Sequence, residues 1–205
     1  MKKGYVLFLI FILAFSACSS KPRVDRVGAD TQIDLSGRWN DTDVRIVSNS
    51  LINDCLDSQR VSQFIQNYVS QNRGRLPACL VGTFRNDSSE HIDTSIISKA
   101  MEIAVVNSGK MDFVAGGDTL AEIRAERQEQ QWNASEESAA ALGKETGAAL
   151  LLTGRLMSIV DRAGNTTDRF YFANAELTNI ERRVIIWSGK SEEVRKIVRQ
   201  SNFRF

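Results

Sequence analysis

Apolar residues return along this chain with two different periods, and the places where the period changes mark its elements. Val44, Val47, Leu51 and Cys55 fall on one stripe of a helix that begins at Asp41. Beyond the Asp57-Ser58 interruption, Val61, Phe64, Ile65 and Tyr68 repeat the i, i+3, i+4, i+7 spacing of a helix face, and Asn72-Arg73-Gly74 ends it. Pro77 leads into Ala78 to Phe84, a short apolar run that reads as a strand buried on both faces. Asp93 or Thr94 can cap the next helix, whose Ile96, Ile97, Ala100 and Ala104 align until Asn107-Ser108-Gly109 closes it.

Met111 to Ala115 reads as another short strand and Gly116-Gly117-Asp118 as a turn. A very polar helix is expected from Leu120 to Gln130, and a second from a Ser135 cap, with Glu136 and Glu137 in its first turn, to Gly147. The period then shortens. Ala149 to Val160, Arg169 to Leu177 and Val184 to Ser188 are extended segments joined by the turn signals Gly164-Asn165 and Asn179 to Arg182. They predict an antiparallel meander, and Glu192 to Arg199 reads as one more short helix. The fold class that follows is α/β (α+β): a mixed sheet flanked by helices, with a C-terminal antiparallel meander.

The N-terminus changes the picture. Lys2 and Lys3 precede the apolar run Tyr5 to Phe15, and Ser16-Ala17 leads into Cys18. This is a signal peptide over residues 1–17 by length and flanks, because a spanning helix needs roughly 20 apolar residues. Leu13 to Cys18 resembles a bacterial lipobox, with Phe15 where an aliphatic residue is usual. On that reading Cys18 carries a covalent lipid; the alternative is an ordinary secretory signal with an incidental cysteine. Ser19 after Cys18 favours the outer membrane, with the domain facing the periplasm. Residues 18–33 hold charges, Pro22 and Gly28 with almost no apolar pattern, so they are expected to be a flexible tether with a reach of roughly 50 Å at about 3.4 Å per residue. Residues 34–205 remain as one globular domain.

Charge excludes one class of partner. The chain has 26 basic and 25 acidic residues, and removal of residues 1–17 takes only Lys2 and Lys3, so nothing electrostatic favours nucleic acid. Cys55 and Cys79 remain after Cys18; in an oxidising compartment they are a possible disulfide, or else two small buried apolar residues.

Reactive groups are few. His91 is the one histidine of the sequence and no Cys-x-x-Cys spacing occurs, so no zinc or other metal site is expected. His91 reads as a solvated turn residue rather than a general base. Gly189-Lys190-Ser191 has the end of a P-loop, but Val184 stands where its first glycine is needed. No Gly-x-Ser-x-Gly elbow appears, and the expectation is a protein without enzymatic activity or cofactor. Asn202-Phe203-Arg204-Phe205 has the aromatic end of an outer-membrane barrel, yet a barrel needs at least eight alternating strands, more than the pattern supplies. Gln131-Trp132-Asn133, between the two polar helices, is a possible partner contact with Trp132 as an exposed anchor; the alternative is that Trp132 folds onto the core.

Four segments in order carry a resemblance: Trp39-Asn40-Asp41 before the first helix, Ala104 to Lys110 with the following strand, Leu142 to Leu152 around Glu145-Thr146-Gly147-Ala148, and Arg183-Val184-Ile185-Ile186-Trp187-Ser188-Gly189-Lys190. Together, behind a lipobox, they resemble the peptidoglycan-synthase activator LpoB family of outer-membrane lipoproteins over roughly residues 35–190. The resemblance implies a small domain similar to the TolB N-terminal domain, without a catalytic site. It also implies a partner, the noncatalytic docking domain of a class A penicillin-binding protein, whose glycan polymerisation and crosslinking the family stimulates. The enterobacterial form carries a long proline-rich linker, whereas this tether is short and has one proline. The alternative function is a structural or secretion component of the envelope with a TolB-like domain.

Overall fold

The computed structural model describes residues 24–28, 31–114 and 147–200. The expected signal peptide, Cys18, the polar helices over 120–130 and 135–147, and the aromatic C-terminus lie outside the described residues. The chain divides between Thr31 and Gln32, and residues 32–205 form one compact unit.

That unit is an α+β fold. Its described elements are α1 (Asp41–Asp57), α2 (Gln59–Gln71), β1 (Ala78–Asp87), α3 (Ser95–Ser108), β2 (Asp112–Val114), β3 (Leu150–Ala163), β4 (Thr166–Asn179) and β5 (Val184–Arg199). The five strands form one mixed sheet in the order β2-β1-β3-β4-β5. β1 is parallel to both β2 and β3, while β3, β4 and β5 are a meander of antiparallel pairs. α1 packs on β5 and β4, α2 on α1 and β5, and α3 on β1 and β2.

Local chemistry sets the helix boundaries. Asn40 caps α1 and completes a capping box: its side chain accepts from the Asp43 N–H at 3.2 Å, and the Asp43 carboxylate accepts from the Asn40 N–H at 2.8 Å. Ser58 ends α1 and caps α2, so one residue makes the break between the two helices. α3 closes on Gly109 in the left-handed region (φ 61°), where a side chain is strained. Its buried face is Ile97, Met101 and Val105, while Ile96 is 55% exposed. The expected stripe is thus rotated by one position, because Thr94 buries itself to hydrogen-bond the Phe84 carbonyl and brings Ile97 inward.

One core joins the helices to the sheet. Val47, Leu51, Val61, Phe84, Ile97, Met101, Leu150, Leu152, Leu156, Tyr171 and Leu177 belong to it. On the other face Leu80, Ala148 and Ile180 pack with Val114 and Leu151. Cys79 and Val81 face the first core and Leu80 the second, so the expectation of a strand buried on both faces holds at the start of β1.

The segment Glu192 to Arg199 is strand, not helix. β4 is fourteen residues long, and its first half would leave a row of backbone donors and acceptors unpaired without a partner. β5 therefore continues past a bulge opposite Tyr171–Ala173 and pairs Phe170 with Arg195 and Thr166 with Arg199. Val194 points into the core beside exposed Arg195, at the period of a strand.

Cys55 and Cys79 are free, buried thiols, so the possible disulfide is not formed. Both sulfurs sit in the apolar core as small hydrophobic residues, and burial pushes each thiol up to about 12.

Candidate functional site

The β3–β4 hairpin overshoots its neighbour. Pairing of β3 with β1 ends at Asp87 opposite Met157, while β3 continues for six further residues to Ala163. On the helix side this projecting arm would be bare. Two segments close around it: the approach to α1, residues 33–40, and the loop 88–93 between β1 and α3.

A partly buried carboxylate ties these pieces together. Glu90, from the loop, accepts a hydrogen bond from the Tyr171 hydroxyl at 2.9 Å and pairs with Arg169 Nε at 3.1 Å. Its other oxygen accepts from the Trp39 backbone N–H at 3.4 Å. Arg169 in turn donates to the Gly37 carbonyl at 3.4 Å, and the Trp39 ring lies against Tyr171 with centroids 5.2 Å apart. Burial, followed by the hydrogen bond to Glu90, pushes the Tyr171 phenol above its ordinary range. Ser89 donates its N–H to the Ser158 hydroxyl on β3 at 3.0 Å, which fastens the loop to the arm.

Lys196 makes a second clamp. Its ammonium, on a side chain only 11% exposed, lies 2.7 Å from Asp34 and 2.6 Å from the deeply buried Asp43, and it donates to the Arg38 carbonyl at 2.9 Å. Asn40 adds hydrogen bonds from its side-chain amide to the Ile33 carbonyl and the Asp34 carboxylate, both at 2.9 Å. Burial alone would lower the Lys196 pKa; the hydrogen bonds and charges of Asp34 and Asp43 outweigh it, and the ammonium is held above its ordinary value. Hydrogen bonds led by that from Lys196 lower Asp34, while desolvation raises Asp43.

Between the arm, the approach segment and the loop lies a groove of about 650 Å³. Val44, Ile92, Ile96 and Val160 supply apolar walls, and Arg38, Arg162 and His91 stand exposed along its rim. His91 is thus the solvated turn residue expected. Among the described residues no group of histidine, cysteine and acidic side chains is arranged to hold a metal. Gln131, Trp132 and Asn133, the expected partner contact, lie outside the described residues.

The Trp187-Ser188-Gly189-Lys190 segment has a packing role in this structure. The Trp187 indole, 7% exposed, donates to the Asp54 carboxylate on α1 at 3.1 Å. A Cβ on Gly189 would run into that indole and that carboxylate, so glycine is required for close approach. Gly154 is required in the same way where β3 passes the Phe84 ring.

The sequence profile described as "Peptidoglycan-synthase activator LpoB" matches residues 43–192, well over half of the chain. The chain belongs to the LpoB family. No curated protein sequence matches it. Solved LpoB structures resemble it at low identity: the C-terminal domain from Escherichia coli is 19% identical, with a TM-score of 0.43, and the match covers 68% of this chain and 98% of that one. The corresponding domain from Salmonella enterica is 16% identical, with a TM-score of 0.41 and coverage of 73% and 98%. Lipoprotein GNA1162 from Neisseria meningitidis is 18% identical, with a TM-score of 0.44 and coverage of 62% and 88%. Within this LpoB-family chain the matched span begins at Asp43, so it takes in the loop and the arm of the groove, while Asp34, Arg38 and Trp39 precede it.

Proposed function

We propose that this protein is a lipid-anchored envelope regulator that binds a class A penicillin-binding protein through its noncatalytic docking domain and stimulates glycan polymerisation. The observation that carries the reading is the family match over residues 43–192, a span that takes in α2, α3, β1 to β4, nearly all of α1 and the first half of β5. Family membership implies an activator of a peptidoglycan synthase, a regulatory role rather than an enzymatic one. The synthase class, the anchor at Cys18 and the outer-membrane location belong to this proposal.

Activation of this kind is thermodynamic: a regulator that binds the active state of the synthase better than the inactive one shifts the population toward it. Its size is bounded by that difference in affinity, so about 1.4 kcal/mol of preference is a tenfold shift.

The test is capture from detergent-solubilised envelopes on the full chain, followed by a glycan polymerisation assay of the captured synthase with and without it. Recovery of a class A penicillin-binding protein whose rate rises on addition supports the reading. Recovery of only the protein itself or of export components would replace it with a structural role in envelope assembly.

A further inference from the structure

The arm built by β3, β4 and the end of β5 has a second face. Opposed residues of paired strands share a face, so Met157 with Phe172, Ile159 with Phe170 and Arg195, and Asp168 with Ile197 lie together, on the side away from the buried Tyr171 and Val194. All three described helices belong to the core on the Tyr171 side. The outer face keeps its apolar carbon in solvent: Ile159 is 67% exposed and Ile197 55%, with Met157, Phe170 and Phe172 half-buried around them. Aliphatic and aromatic side chains in adjacent cross-strand positions make a continuous patch rather than scattered surface residues.

Charge on this face balances: Asp161 and Asp168 stand against Arg195 and Arg199, and Arg195 Nε lies 3.1 Å from both oxygens of Asp168. At the border Arg155 meets Asp87 at 3.9 Å. Size is more informative than charge. Three strands about 4.8 Å apart, over the stretch from Met157 to Ala163 at about 3.3 Å per residue, give roughly 300 Å², well short of the about 800 Å² per partner of a stable protein interface. An occupant already held nearby needs no such area, because its contact is intramolecular. The tether meets that condition. Residues 33–40, through which it enters the domain, are fixed to this arm: Asp34 to Lys196, the residue before Ile197, and the Gly37 carbonyl to Arg169, the residue before Phe170. From Cys18 to Asp34 the chain spans at most about 54 Å, at about 3.4 Å per residue. A lipid on Cys18 therefore holds the arm within that distance of its bilayer, and the rest of the domain only through the arm.

We infer that the outer face of the arm rests on the bilayer that carries the Cys18 lipid, with Ile159, Phe170, Phe172 and Ile197 set into the boundary between headgroups and acyl chains. The inference rests on the proposed function for the anchor at Cys18, and it adds the orientation of the domain: the helix layer, with the groove, faces away from the membrane. Arg195 and Arg199 have long stems that let their charges stay among the headgroups. Because the charges of the face cancel, the contact is driven by apolar area and is indifferent to anionic lipid.

The experiment uses the mature chain with its Cys18 lipid in phosphatidylcholine nanodiscs, its isoleucine methyl groups labelled with carbon-13 and assigned by valine substitution. Spin-labelled phosphatidylcholine is then introduced into the discs. The expected result is loss of the Ile159 and Ile197 methyl signals, while those of Ile96 and Ile103 on α3, exposed to 55% and 52%, are retained. Phosphatidylglycerol discs should give the same pattern. Ile159→Asn should restore the Ile197 signal and Ile197→Asn that of Ile159, and since both side chains are exposed the variants should unfold at the wild-type temperature. Equal loss at Ile96 and Ile103, or full signals at Ile159 and Ile197, overturns the inference. Shifts at Ile159 and Ile197 that follow protein concentration at fixed detergent, without lipid, would also overturn it and assign the face to a second copy. The mass of the mature chain reads the anchor separately: a chain without lipid removes that part of the proposed function and the inference with it, whereas a lipidated chain with full Ile159 and Ile197 signals removes the inference alone.

Discussion

Replacing Lys196 by Met tests whether the approach segment is held to the sheet by charge. The methionine keeps the length and most of the apolar contact of the lysine stem but removes the ammonium shared by Asp34, Asp43 and the Arg38 carbonyl. The Asp43 side chain, 4% exposed, is then a buried carboxylate whose described partners include the Asn40 N–H. Breaking a buried pair by removing one member costs about 3–5 kcal/mol, and the remaining capping bond brings the expectation down to about 2–4 kcal/mol. For a domain of this size each 1 kcal/mol shifts Tm by about 2–4 °C, so the variant should melt roughly 4–16 °C lower.

The pH dependence gives the sign. Without Lys196, desolvation of Asp43 goes unopposed by that cation, its folded pKa rises further above 3.8, and folding takes up a proton as the pH falls. The deficit should be widest near neutral pH and narrow toward the carboxylate range. In the wild type, Lys196 contributes stability that is complete below its ordinary 10.5 and lost as pH rises through its raised folded value. Asp34, lowered in the folded state, contributes above 3.8 and loses its share as pH falls. The assay is urea denaturation of the single variant, of Asp43→Asn and of the double variant, between pH 5 and 8. A loss under 1 kcal/mol with no dependence on pH, or purely additive effects in the double variant, would refute the clamp.

The other predictions concern packing and the network beside the groove. Gly189→Ala should cost about 1–3 kcal/mol in urea denaturation and shift Trp187 emission, because the new methyl must displace the indole from Asp54; wild-type stability would show that the glycine serves something else. Glu90→Gln should cost about 1–3 kcal/mol and let Tyr171 ionise at a lower pH in an alkaline absorbance titration, since the neighbouring charge is gone; an unchanged titration would separate Tyr171 from Glu90. Cys55 and Cys79, with thiols pushed up to about 12, should react with an aromatic disulfide at pH 8 only as fast as the protein opens, and rapid labelling of either would contradict their burial.

Several elements were legible because their signals are local. The α1 stripe from Val44 to Cys55, the break at Asp57-Ser58, the Gly109 stop and the Gly164-Asn165 hairpin turn are each set by residues within one or two turns of chain. The family, too, could be read from short motifs in order. The tail after Gly189 could not: its charges suit a helix surface as well as a strand edge, and only the need of β4 for a backbone partner chose between them.

The groove depends wholly on such distant choices. Glu90 meets Tyr171 across 81 positions and Lys196 meets Asp43 across 153, and Glu90, Lys196 and Asp43 taken by themselves look like ordinary surface charges. The sequence by itself determined the α1 face, the turns, the alternation of β3 and β4 and the membership of the family, all through periodicity and nearest-neighbour chemistry. Strand order, the overshoot of the β3–β4 arm and the closing of two loops around it were decided by tertiary structure, because burying the two sheet faces and pairing every strand's backbone are conditions on the whole chain.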